Sequence, residues 1–304
     1  MCADRRAVTS GFSFVEMIVA MAIMLVLSAA IFELINPAYG MFAHPDLSDV
    51  QQRIRVASDA IFKDIVTAGS RPGGTFPPVL PFRTGARSPD PPGTFFDDRI
   101  SVLYVPTSGA GTTLRVATEE GNIVLVNAQP GCPAGSPLCS FAANELAVIC
   151  DESGAYDTFR ILEVQPASLA LVHEGRTLSK SYAPGTTVAP VVAATYWVQT
   201  DPSTGHGQLM KYDGDRTDLP VVDDVAALRF EYYGGAGRFD RAQLTDGPWL
   251  PDPAFTTRYD ADLLLIRRIR ITLQVRQQQP LLRAPLVDQE ITFDVTPRNL
   301  GLRP

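Results

Sequence analysis

From Phe12 to Ile35 the chain reads FSFVEMIVAMAIMLVLSAAIFELI, an apolar run interrupted early by Glu16 and near its end by Glu33. As a helix this run would be about 36 Å long, enough to cross a hydrocarbon layer of about 30 Å with some tilt. A segment of this kind cannot stay in water by itself. It must lie in lipid or against other apolar helices, and the remainder of the chain must fold around that requirement. The polar leader MCADRRAVTSG precedes it, and Arg5 and Arg6 favour a cytoplasmic leader with an exported C-terminal part.

Two details separate the run from a plain anchor. Glu16 puts a carboxylate four residues into the apolar segment. A charge at the centre of a membrane helix costs roughly 2.5–3.5 kcal/mol, and less near an end where the side chain can reach the interface. Such a residue calls for a partner. The other detail is the Gly11-Phe12 junction, where a residue without a side chain meets the start of the helix, a suitable peptidase site. An ordinary secretory signal has an apolar stretch of about 7–15 residues followed by small residues. Ser28-Ala29-Ala30 could supply the small residues, but the apolar run is too long and contains Glu16. Glu33 reads as an outer-interface residue.

The sequence Gly11-Phe12-Ser13-Phe14-Val15-Glu16, followed by a long apolar helix, resembles the class III signal of type IV prepilins and pseudopilins. The resemblance implies that a prepilin peptidase cuts after Gly11 and N-methylates Phe12, and that Glu16 is the acidic residue of the motif. Cleavage then leaves a cationic amine on Phe12, for which Glu16 is the natural counter-ion. In a helical assembly the amine can belong to one subunit and the carboxylate to its neighbour. Losing one partner of such a buried pair typically costs about 3–5 kcal/mol, which makes Glu16 a registration device for subunit insertion.

Beyond the run, Pro37, Gly40 and Pro45 predict a kink or melted stretch. A second helix is expected to start with Asp46 or Ser48 as N-cap and to stop at Gly69. In it Val50, Ile54, Ala57, Ile61, Ile65 and Ala68 share one face, while Gln51, Gln52, Arg55, Asp59 and Lys63 or Asp64 fall elsewhere. Residues 69–96 are dense in Pro and Gly and predict an extended loop with no regular element, laid over the head or exposed to partners.

Strand-like runs follow at 100–105, 112–117, 122–127, 145–150, 159–164, 168–173, 194–199, 208–212, 225–233, 266–276 and 289–295. Leu228, Phe230 and Tyr232 alternate with Arg229, Glu231 and Tyr233, the pattern of a half-buried antiparallel sheet. The expected architecture is therefore α+β, a long kinked N-terminal helix packed on an antiparallel β-sheet head, which is type IV pilin-like. Its parts would be a cleaved leader (1–11), a transmembrane and filament-core helix (12–36), a kink with an amphipathic helix (37–68) and a β-rich periplasmic head (69–304).

The chain has four cysteines, and removal of the leader leaves Cys132, Cys139 and Cys150. Cys132 and Cys139 bound a short loop suited to a disulfide in an oxidising compartment. A Cys139–Cys150 bridge is the alternative, and either choice leaves one thiol over. No metal or other cofactor is expected. The three histidines are scattered. Asp213, Asp215 and Asp218 have a calcium-loop-like spacing but lack the acidic residue that completes an EF-hand, and a turn between two strands accounts for them more simply. No nucleophile elbow, zinc-protease helix, P-loop or dinucleotide fingerprint is present. A net charge of −7 without a basic stripe argues against nucleic acid as a partner.

The order VVDDVAALRFEYY, a Gly/Pro/Trp-containing loop, LLLIRRIRITLQVR and TFDVTPRN is similar to the C-terminal part of the PilW family of minor pilins. It is also similar to the tail of the J-class pseudopilin of type II secretion. These resemblances imply a structural, non-enzymatic subunit of the bacterial inner membrane, with a single pass and a periplasmic head. Its partners would be the prepilin peptidase, other minor pilins, the major pilin, the inner-membrane assembly platform and membrane lipid. An anchored exported binding protein is the reading from another class.

Overall fold

The computed structural model describes residues 13–42, 45–69, 76–84, 89–90, 94–106, 111–119, 121–152, 154–175, 178–212, 214, 217–235, 237–239, 263–276 and 288–297, with the backbone alone for 34–42 and 45–48. Helix α1 spans Phe14–Phe42 and helix α2 spans Pro45–Thr67. α1 runs on through Pro37 and Gly40, so the helix does not end at residue 36. One missing N–H weakens a helix locally, but the long helix before Pro37 propagates cooperatively into the short stretch from Ala38 to Phe42. Residues 43–44, between the helices, lie outside the described residues. α2 begins at Pro45, earlier than a cap at Asp46 or Ser48 would have it. Proline fits the first helical position, where its missing N–H would have had no partner anyway.

Fourteen strands follow in the described residues, and every pairing is antiparallel. The larger sheet contains β1 (Val79–Leu80), β2 (Arg99–Tyr104), β3 (Thr112–Thr113), β4 (Ile123–Leu125), β5 (Leu146–Cys150), β6 (Tyr156–Gln165), β7 (Ala170–His173), β8 (Thr187–Thr200), β9 (Gly207–Tyr212) and β10 (Asp218–Asp223). β8 is its spine. The first half of β8 pairs with β3 and β5, and the second half with β2 and β9. The smaller sheet has the order β12 (Gly237–Phe239), β11 (Val225–Gly234), β13 (Arg268–Val275) and β14 (Gln289–Val295). β1, β10 and β12 are short or polar strands that the sequence pattern had not marked.

β5 shows how the larger sheet is used on both faces. Leu146, Val148 and Cys150 enter one core, and Ala147 and Ile149 enter another. That is why its five residues read as a continuous apolar run. The first core gathers the inner face of α2, both sheets and the segment around Phe76, Val79, Leu80 and Phe82. Of the two expectations for the Pro/Gly-rich stretch, residues 76–84 follow the first, lying against the head, and they are not wholly irregular. It contributes β1, which pairs with β2, and buries its apolar side chains. Prolines exclude long ladders but leave the intervening Val, Leu and Phe free to pack.

The second core lies on the other face of the larger sheet. It joins Leu138 and Phe141 to Leu114, Val126, Phe159, Ile161, Leu171 and Tyr182. The smaller sheet is half-buried. Leu228, Phe230 and Tyr232 point inward with Ile269, Ile271 and Leu273, while Arg229, Glu231, Arg270 and Asp294 stand on the outer face.

α2 locks onto this head by more than its apolar stripe. Val50, Ala57, Ile61, Ile65 and Ala68 are buried, and Ile54 is partly buried. Of the two residues Lys63 and Asp64 offered for the outer side, Lys63 is exposed and Asp64 faces inward. Its carboxylate accepts from the Tyr196 hydroxyl at 2.6 Å and meets Lys211 Nζ at 2.6 Å. A buried carboxylate survives only with such partners. Nearer the start of α2, Arg53 pairs with Asp224 at 2.6 Å. Asp224 is the single residue between β10 and β11, where the chain passes from the larger sheet to the smaller.

Candidate assembly helix

The residues singled out from sequence fall in two regions far apart along the chain. The first is the start of α1. Phe14–Glu33 has a mean hydropathy of 2.5, and none of it is buried against the rest of the chain. Phe14, Met24, Leu25 and Phe32 are each at least 70% exposed. Apolar surface this continuous on a folded chain marks contact with lipid or with other protein.

Gly11 and Phe12 lie outside the described residues. Glu16 sits in the first turn of α1, and it does not project freely. The Ser13 carbonyl accepts the first helical hydrogen bond from the Met17 N–H at 3.2 Å, which makes Ser13 the N-cap. Its hydroxyl accepts from the Val15 N–H at 3.2 Å, and its own N–H donates to Glu16 Oε2 at 3.3 Å. This is a reciprocal capping arrangement, Ser-x-x-Glu, at the head of an apolar run. The signal was present in the sequence as Ser13-Phe14-Val15-Glu16, but the motif reading passed over Ser13. The helix start favours an anion there through its free N–H groups and its dipole. The carboxylate is therefore satisfied at the start of the helix instead of along its apolar flank.

The second region is the head. Cys132 and Cys139 are joined, with sulfurs 2.05 Å apart, and Cys150, outside that disulfide, is a buried thiol of β5. The Gln129 side chain is buried beneath this loop and accepts the Ser140 N–H at 3.0 Å. Leu138 anchors the loop in the second core. Asp213 and Asp215 lie outside the described residues. Asp218 opens β10 and pairs in register with Tyr212, so it belongs to a β9–β10 hairpin. Among the described residues no group of three or more His, Cys, Asp or Glu is placed to hold a metal ion.

The described histidines have structural partners. His173 is buried against Phe159, with Nδ1 at the Glu174 carbonyl, and His206 meets the Asp224 carboxylate. Three buried tyrosines hold their phenols well above the usual range. For Tyr182 and Tyr196 desolvation is the main cause, aided by the neighbouring Asp157 and Asp64. For Tyr232 the cause is again burial, with Asp97 and Asp98 adding to it. Each phenol is tied by a hydrogen bond to a neighbouring helix or strand.

The family of the prokaryotic N-terminal methylation motif matches residues 6–32, which include much of α1 and none of the strands. No curated protein and no solved structure matches the chain. The motif supports a type IV pilin/pseudopilin-type exported protein, a structural rather than catalytic class, and implies processing by a prepilin peptidase and interactions with pilus components. The apolar N-terminal helix is consistent with membrane anchoring, and the antiparallel sheet head is compatible with an α+β, pilin-like fold.

Proposed function

We propose that this chain is a minor pilin that enters or initiates a type IV pilus after prepilin peptidase has removed residues 1–11. In this reading Phe12 becomes the N-methylated terminus and Glu16 the counter-charge that registers the subunit in the assembly. The segment from Phe12 to residue 36 crosses the inner membrane before assembly and joins the helical core of the filament afterwards. Residues 37–68 connect it to a periplasmic head of residues 69–304. The observation that carries the proposal is the methylation motif at 6–32, set at the start of a helix whose apolar span Phe14–Glu33 is unburied.

The size of the head supports a low-abundance subunit. Two sheets and two cores make a bulky body, and bulk hinders the close repetition that a major pilin needs. The strand order of the smaller sheet, β11, β13 and β14, carries the PilW-like tail, and the same tail favours a second reading as a J-class pseudopilin of type II secretion. Gene neighbourhood separates the two, with minor-pilin genes on one side and a general secretion operon on the other. The partners proposed are the prepilin peptidase, other minor pilins, the major pilin and the inner-membrane assembly platform.

Mass spectrometry of the N-terminal peptide, from cells with and without prepilin peptidase, tests the proposal. A chain starting at N-methylated Phe12 only when the peptidase is present is the expected result. Cleavage near Ala30, or no dependence on the peptidase, would leave an anchored or exported protein of another kind, such as a surface-binding one. Within the pilin reading, Glu16→Ala should abolish incorporation into filaments while leaving the head folded.

A further inference from the structure

A cavity of about 310 Å³ lies in the head, beside β11 and lined also by the segment that precedes β2. It sits where β12 stops covering β11. β12 pairs with Tyr232, Tyr233 and Gly234, and two residues back along β11 the Phe230 N–H donates to the Asp97 carbonyl at 2.6 Å. The Phe96 N–H donates to the Pro81 carbonyl at 2.8 Å. These two bonds strap the segment to the head, so the cavity is preformed.

Most of its lining is aromatic. Phe230 and Tyr232 are buried and form its floor. Phe95 stands edge-on to Tyr232 with ring centroids 5.7 Å apart, and Phe239 faces Tyr232 across the β11–β12 pair. The Phe239 ring lies so close over Gly234 that a Cβ there would be 2.3 Å from its Cε2. Asp97, Glu231 and Arg238 complete the lining with Phe96. Glu231 is occupied, since its carboxylate meets Arg238 at 3.0 Å and accepts the Tyr233 hydroxyl at 3.1 Å. Asp97 is held more loosely. Its side chain is 60% exposed and lies 3.5 Å from Arg229, longer than an ordinary hydrogen bond.

The face of an aromatic ring attracts a cation, and this chain already seats one here: the Arg99 guanidinium lies 4.1 Å from the centroid of Phe96. We propose that the cavity binds an organic cation, a guanidinium or ammonium group on a short alkyl stem, with the stem against Phe95, Tyr232 and Phe239 and the charge paired with Asp97. An anion would meet Asp97 as a like charge. The carboxylates of Asp97 and Asp98 add to the burial that raises the Tyr232 phenol, so the floor lies in a negative potential that favours a positive ligand. Such a cation arrives free in solution or as the arginine or lysine side chain of another protein. The site belongs to the head and goes beyond the pilin reading, since it does not depend on how the N-terminus is processed.

The test uses the full chain in detergent micelles, titrated calorimetrically with three probes. These are the propylguanidinium ion, the blocked tripeptide glycyl-arginyl-glycine amide, and the same tripeptide with uncharged citrulline in place of arginine. Both cations should bind saturably, and the citrulline peptide at least fivefold more weakly than the arginine one. Asp97→Asn and Phe239→Leu should each weaken cation binding about fivefold, the size of one partly exposed charge pair or cation–ring contact. If Phe239→Leu also lowers the unfolding midpoint, Asp97→Asn decides alone, because its side chain is exposed and its loss leaves the fold intact. The inference is wrong if neither cation binds saturably, if citrulline binds as well as arginine, or if Asp97→Asn binds like wild type. Tighter binding of the arginine peptide than of the free ion upholds the site and assigns it to a protein side chain. The reverse order upholds it and assigns it to a small solute.

Discussion

Arg53 of α2 and Asp224, between β10 and β11, meet at 2.6 Å at the seam where the helix and the two sheets converge. The Asp224 side chain is only 4% exposed and also meets His206, while its carbonyl accepts the Arg276 N–H at 2.7 Å. Its backbone is left-handed, with φ at 59°. One residue thus ties α2, the start of β9, the inter-sheet step and the end of β13. Close by, Gly207 approaches the Val225 carbonyl so closely that an added Cβ would sit 2.1 Å from its oxygen.

Asp224→Asn keeps a residue that tolerates the left-handed backbone but removes the charge. Among the described residues, Arg53 would keep the half-exposed Asp49, at 2.5 Å, as its carboxylate partner. Urea or thermal unfolding of the full chain in detergent should show a loss of about 3 kcal/mol. A change below about 0.5 kcal/mol, the size of an ordinary surface substitution, would mean that the seam is held by packing alone.

The two sides of α2 should respond very differently. Ile61 is fully buried, and neighbouring Phe62 is half-exposed. Ile61→Ala should cost about 2–5 kcal/mol, and Phe62→Ala should stay within about 0.5 kcal/mol. If Phe62→Ala instead lowers filament incorporation without lowering stability, that outer stripe contacts another subunit.

Cys132 and Cys139 close a loop with a sequence separation of 7. Chain-entropy bookkeeping for a ring of this size gives about 2.5 kcal/mol. The double substitution to Ser should lower stability by about that amount in oxidising buffer and have no further effect under reduction. Protection from hydrogen exchange should fall first around Leu138 and Phe141, which carry the loop into the second core.

The tyrosines set an alkaline limit. Tyr182, Tyr196 and Tyr232 have phenols raised mainly by burial. Above the unfolded value of about 10 the unfolded chain gives up those protons and the folded one does not, so the unfolded state binds fewer protons and stability falls with rising pH. Tyr196→Phe should flatten part of that fall, at the expense of the bond to Asp64. At the acid end the sign reverses. Asp98 is held below the usual carboxylate range, first by its hydrogen bond to Arg99. Its contribution is present above the unfolded carboxylate value and is lost as pH falls through the lower folded one. Asp98→Asn should remove that acid-side dependence from a pH series of unfolding midpoints.

Much of the strand content was legible because alternation is a local signal. The residue sets Leu228/Phe230/Tyr232 and Arg229/Glu231/Tyr233 separate cleanly into an inner and an outer face. Where alternation was absent, reading failed in an instructive way. β1 has only two residues amid prolines, and its existence depends on β2 supplying the ladder. β10, DLPVVD, carries Pro220 beside an irregularity in its register with β9, and its Asp218 looks like a turn or ligand residue until Tyr212 stands opposite it. The Ser13–Glu16 cap was readable from spacing and was hidden by the stronger motif that overlaps it.

By itself the sequence determined that this chain has an apolar segment long enough to span a bilayer, a carboxylate near its start and a head built mainly of antiparallel strands. Those properties follow from transfer free energies and from side-chain periods of two and 3.6, which need only neighbours in the chain. Only the tertiary structure decided that Asp64 points inward to Tyr196 and Lys211, that Asp224 joins Arg53 and His206, and that one sheet has a core on each face. These pairings join residues far apart in sequence, 171 positions in the case of Arg53 and Asp224. Whether a buried charge is tolerated depends on which partner arrives from elsewhere in the chain, and no local pattern records that.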